Sequence, residues 1–179
     1  MNMSTKDKEL RLIDLCARLP YGVKVFNSTF ATPTVETLLG RMSDDTFVMR
    51  ETYKEVSGDD FRTVRDGVNY TGHIEDIKPY LRSLKSMTEE EKKEIEKITN
   101  NSFYANSNYI ANFKPQTYGS WHGNWHDASY NYPVTNVVCN RLISWLDKKH
   151  FDHRTDEEGK TLIEKGLAIE VTGENNPYK

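Results

Sequence analysis

The runs Val23-Lys24-Val25-Phe26, Val35-Glu36-Thr37-Leu38-Leu39 and Thr46-Phe47-Val48-Met49 decide the fold class. Apolar and polar residues alternate in them at a period close to two, the pattern of a half-buried strand. Turn residues separate the runs: Pro33, then Gly40 with Ser43-Asp44-Asp45, then Gly58-Asp59-Asp60. Phe61 to Val64 reads as a fourth short strand, and Asp66-Gly67-Val68-Asn69-Tyr70 as the start of a fifth after a turn whose glycine tolerates positive φ. The spacing predicts a small antiparallel sheet, or curled meander, of about five short strands.

Upstream of this region, Thr5 to Leu19 carries Leu10, Ile13 and Ala17 on one stripe, widened by Leu12 and Cys16, and Pro20 closes it. That is an amphipathic helix with an apolar buried face. Downstream, Ile74 to Leu81 is extended, because Pro79 pushes Lys78 out of the helical region and donates no ladder hydrogen bond; an edge strand fits. Thr88-Glu89-Glu90-Glu91 has the spacing of a capping box and opens a helix to about Thr99, with few apolar positions. Pro133 to Lys149 holds Val134, Val137, Val138, Leu142, Ile143, Trp145 and Leu146 at helical spacing and is the best core helix of the chain. Gly166 then stops a short apolar turn, Leu167 to Val171 reads as a final strand, and residues 173–179 are expected to fray. The whole is an α+β protein, expected as a single domain over residues 1–179.

Length and composition bound the function. The 179 residues are 36% hydrophobic with a net charge of −3. Leu, Ile, Val and Phe supply 22% of the chain, enough to disfavour wholesale disorder but only a modest core. No apolar run approaches the roughly 20 residues of a membrane span, and Met1 to Asp14 lacks the apolar centre of a secretory signal, so a cytoplasmic protein is expected. Cys16 and Cys139 lie apart within helical patterns and read as buried free thiols, not as a disulfide or zinc framework. A pI near 6.0 argues against extended nucleic-acid binding while leaving room for a local basic groove.

Three stretches carry a resemblance. They are Asp14-Leu15-Cys16-Ala17-Arg18-Leu19-Pro20-Tyr21-Gly22-Val23-Lys24, then Ile74 to Arg82 with Ser86-Met87-Thr88-Glu89-Glu90-Glu91-Lys92, then Trp145 to Arg154 followed by Leu162 to Ala168. In order and wording they resemble a group of small uncharacterised proteins encoded by phages, prophages and mobile elements of anaerobic gut bacteria. The resemblance implies a mobile-element context and brings no activity, cofactor or catalytic residue with it. In that pattern the His-Phe-Asp stretch leads almost directly into the final Leu-Ile segment, whereas Thr155 to Lys160 lengthens the connection here. The strand region and residues 100–132 do not match the pattern, which places any member-specific function there.

Residues 100–132 depart most from the rest of the chain. They hold two charged residues, Lys114 and Asp127, where the chain's 28% average would give about nine, together with nine of the twenty aromatics and seven asparagines. Rings offer contact area at low rotamer cost and amides adapt their hydrogen bonds, the chemistry of a recognition surface. Tyr118, Trp121, His122, Asn124, Trp125, His126 and Tyr130 form the candidate surface, and a long loop covering a small core is the competing reading. His122, His126 and Asp127 are candidate metal ligands, although Gly123-Asn124 is poor helix material and no glutamate follows the first histidine.

In His150-Phe151-Asp152-His153-Arg154, His150 suits a helix C-terminus and Phe151 suits packing beneath it; a catalytic alternative pairs Asp152 with an imidazole. The function expected is that of a non-enzymatic accessory protein binding a host protein or a small-molecule ligand, without cofactor. A metal-assisted hydrolase using His122, His126 and Asp127 is the alternative. A third class is a single-stranded nucleic-acid binder using Tyr and Trp with Lys114, Arg62, Arg65 or Arg82, against which the low basicity counts.

Overall fold

The computed structural model describes residues 3–29, 34–43, 45–51, 69–99 and 136–179. Backbone contacts divide the chain into two compact units, residues 1–80 with 166–179 and residues 81–165. Both contain regular elements of the α+β arrangement expected from the strand and helix periods.

The first unit opens with helix α1, Thr5–Arg18. Ser4 caps it, its hydroxyl accepting from the Asp7 amide at 3.2 Å, and Leu19–Tyr21 adds a 3₁₀ turn that Gly22 ends in the left-handed region. The buried face differs from the one hydrophobicity predicts. Arg11, Asp14, Leu15 and Arg18 are buried, while Ile13 is 52% exposed. Charged residues can occupy that face because their charges are answered on it. Arg18 grips Asp14 with two hydrogen bonds of 2.8 Å, and the Arg11 guanidinium donates to the Ile74 and Ile77 carbonyls at 2.7 and 3.0 Å. Cys16 is a half-buried free thiol; the Cys139 side chain is outside the described residues.

Strands β1 (Lys24–Asn27), β2 (Thr34–Arg41), β3 (Thr46–Glu51), β4 (Asn69–His73), β5 (Ile77–Leu81) and β6 (Ile169–Glu170) form one sheet in the order β4-β3-β2-β1-β5-β6. The pairings β1–β2, β2–β3, β3–β4 and β1–β5 are antiparallel, with a bulge at Leu38 to Gly40. The expected strand at Phe61 to Val64 lies outside the described residues. The expected edge strand at Ile74 to Leu81 begins only at Ile77, after a turn, and stands between β1 and β6.

The sheet curls without closing. A Cβ at Gly72 on β4 would lie 2.6 Å from Met49 Cε and 3.3 Å from the Ile77 side chain on β5, a strand that is not its ladder neighbour. Glycine lets β4 approach β5 closely across the curl, and a side chain there would displace the flexible end of Met49 and press on Ile77. Alternation then puts Val25, Leu38, Phe47, Met49 and Ile77 inside.

Pro79 provides no N–H where β1 and β5 separate, and a side chain completes the ladder. The Tyr178 hydroxyl accepts from the Lys24 amide at 3.1 Å and donates to the Tyr80 carbonyl at 2.8 Å. The segment 173–179, expected to fray, thus carries a tie into the sheet. Asn175 adds another by donating its side-chain amide to the Glu170 carbonyl of β6 at 3.0 Å.

In the second unit, helix α2 (Glu89–Thr99) begins with the predicted box: the Thr88 amide donates to Glu91 at 3.0 Å and the Glu91 amide to the Thr88 hydroxyl at 3.2 Å. Helix α3 spans Asn136–Lys148. Leu84, Met87, Ile95, Leu142, Leu146 and Phe151 form one buried cluster, to which α2 itself supplies only Ile95, in keeping with its few apolar positions.

Candidate functional site

The densest group of polar side chains among the described residues surrounds the C-terminal end of α3 and the following segment His150 to Arg154. The helix ends in a Schellman motif: the His150 amide bonds the Asp147 carbonyl at 3.1 Å and the Phe151 amide bonds the Leu146 carbonyl at 2.9 Å. His150 occupies the left-handed position at φ 58°, where glycine is the usual residue and histidine is among the tolerated ones. Phe151 turns under the helix onto Leu146 within the buried cluster, as the sequence suggested.

This reversal carries His153 and Arg154 back to Asp147, in the helix's last turn. Arg154 grips both carboxylate oxygens at 2.5 and 2.7 Å, and His153 Nε2 lies 2.8 Å from Oδ1. All three side chains are almost wholly removed from solvent. Burial alone would raise the Asp147 pKa, but hydrogen bonds from Arg154 and His153, with their positive charge, hold it well below the ordinary carboxylate range. Asp152 uses one oxygen to accept the Ile163 amide at 2.7 Å, fixing the chain beyond Thr155 to Lys160.

A second layer lies around Arg82. Its backbone exchanges hydrogen bonds with His150 and Asp152, both 2.8 Å, and its guanidinium lies 4.2 Å from the Phe151 ring centroid. The same group forms a bidentate pair with Glu91 at 2.7 and 2.8 Å. Burial opposes ionisation of Glu91, yet Arg82 and the Thr88 amide hold its pKa below the ordinary value. Trp145 stacks on Phe151 at 5.8 Å and donates its indole N–H to Glu94 at 2.8 Å, while Lys149 reaches the same carboxylate.

The chemistry of this arrangement is cohesive. A carboxylate held by a permanent guanidinium and shielded from water is a poor proton acceptor, and it has no open face for a substrate. Of the two imidazoles that the catalytic alternative could pair with Asp152, that of His153 engages Asp147. Asp147 was not singled out in the sequence, although one signal points to it. An acid in the last turn of a helix opposes the dipole and calls for a compensating cation nearby.

A smaller buried polar group sits on β1 and β2, where Glu36 accepts from Asn27 at 3.0 Å and from Thr34 at 2.6 Å. Among the described residues no group of three or more His, Cys, Asp or Glu is placed to hold a metal ion. Tyr118, Trp121, His122, Asn124, Trp125, His126, Asp127 and Tyr130 lie outside the described residues, as do Arg62, Arg65 and Lys114. Arg82 is the one residue of the nucleic-acid alternative that is described, and Glu91 and Phe151 engage it. No helix among the described residues is long and apolar enough to cross a membrane. No family model, curated protein or solved structure matches the chain.

Proposed function

We propose that this chain is a non-enzymatic binding protein, an accessory factor of a phage or mobile element that presents residues 100–132 to a host protein or a small ligand. The composition of that segment carries the reading: nine aromatics and seven asparagines beside two charges. Burying so many amides as mere core cover would demand a hydrogen-bond partner for each, whereas a recognition surface uses them on its ligand. The described polar clusters support the same reading, because their charges are directed at one another. Antagonism of a host defence system is one use consistent with such a factor.

Native mass spectrometry of the protein recovered from its own host cells tests this against the Trp121→Ala/Trp125→Ala variant. A bound protein or small-molecule mass, lost in a variant that keeps its melting temperature, is the expected result. A variant that unfolds assigns the indoles to packing. A stoichiometric metal ion removed by substituting His122 and His126 selects the hydrolase instead.

A further inference from the structure

The two faces of the sheet in the first unit differ in charge. Val25, Glu36 and Glu51 share the face that also carries the buried Leu38 and Met49. On the other face, cross-strand register aligns Lys24, Thr37, Arg50 and Asn69 in one row across β1, β2, β3 and β4. Phe26 stands beside Val35 and Lys78 in the next row. Directly opposed residues share a face, so the paired positions of β1 to β5 bring Lys24, Arg50 and Lys78 to this surface with no carboxylate among them. Asp45, Glu75 and Asp76 lie in turns between the strands, and Glu75 pairs with Lys8. Arg50 meets the Asn69 side-chain oxygen at 3.3 Å, and Lys24 donates to the Thr37 hydroxyl at 2.6 Å.

We infer that this face binds single-stranded nucleic acid. The net charge of the chain is −3, so three cations gathered on one face of β1, β3 and β5 form a local concentration of positive charge, complementary to a phosphate backbone. Lys24 and Arg50 are two strand spacings apart, about 10 Å, and the half-buried Phe26 ring lies in the row beside them. Phosphates contact the cations while a base lies against the ring. The Thr37 and Thr71 hydroxyls and the Asn69 amide on the same face suit sugar and base edges. An acidic peptide would use the cations but leave the ring and hydroxyl row without a role.

Fluorescence anisotropy of the full chain with a fluorescein-labelled oligothymidylate of about ten nucleotides, within the usual site size, tests this. Binding that weakens steeply with salt is expected, with Arg50→Glu/Lys78→Glu at least tenfold weaker and its salt slope lower by about 1.4 on the log–log plot, two phosphate contacts' worth. Arg50→Gln/Lys78→Gln, milder for folding, should move both quantities in the same direction, and circular dichroism checks that each variant is folded. Absence of binding at low salt overturns the inference. So does equal binding by a folded variant.

Discussion

Asp14 on α1 and Asp147 on α3 are both buried carboxylates gripped by arginine, but their arginines differ in reach. Arg18 lies four residues along the same helix, so the Asp14 pair is already near alignment whenever α1 is helical. Arg154 lies beyond the helix end and reaches Asp147 only after His150 has turned the chain and Phe151 has buried itself. The first pair lets a charged face be buried; the second fixes the path of the chain. A buried ion pair is weak evidence of net stabilisation in itself, so its worth rests on what its removal leaves behind.

Asp147→Ala should have the largest effect. It leaves Arg154 and His153 buried without their shared carboxylate, which costs about 3–5 kcal/mol. Urea denaturation should show the loss, and an unchanged midpoint would mean that the clasp contributes nothing to the fold. Acid provides an independent test. The Asp147 carboxyl is held below its unfolded value, so its contribution is complete above the unfolded pKa of about 3.9 and fades as pH falls further towards the folded pKa. Stability should therefore decline below about pH 4 in the native chain and more shallowly in Asp147→Asn.

The Asp14 pair should respond differently when both partners are replaced together. Asp14→Leu/Arg18→Met removes both charges from a face that already holds Leu15, and such double replacements are often neutral or stabilising. A midpoint within about 1 kcal/mol of the native chain is expected in the same urea titration, whereas Asp147→Leu/Arg154→Met still strands His153. If the two double variants lose equal stability, reach along the chain is not what distinguishes the pairs.

The same contrast explains what could be read from sequence. Strand alternation at Val23 to Phe26 and Thr46 to Met49 is local, as is the Thr88–Glu91 box, and all three stand where expected. The face of α1 was misread because hydrophobic periodicity counts Arg11, Asp14 and Arg18 as outward residues, although the i,i+4 spacing of Asp14 and Arg18 shows that they can neutralise each other. The His-Phe-Asp-His run is the conspicuous group in the sequence, while the deciding carboxylate, Asp147, sits in the preceding helix among residues read for their helical spacing. For residues 100–132 composition remains the whole argument, since the described residues stop at Thr99 and resume at Asn136.

Tyr178→Phe should have the smallest effect, and it concerns the longest reach of all. Its hydroxyl joins Lys24 and Tyr80, 154 and 98 residues away, so no local pattern could announce it. The variant keeps the ring and deletes only the oxygen that completes the ladder beside Pro79. One amide and one carbonyl lose their partner, a cost of about 1–3 kcal/mol if water cannot replace it and less if it can. Hydrogen exchange separates these cases: faster exchange confined to the Lys24 amide reports local opening, while faster exchange throughout β1 and β5 reports that the tail is part of the sheet's cooperative unit. Unchanged exchange at Lys24 would show that the strand pair holds without its terminal tie.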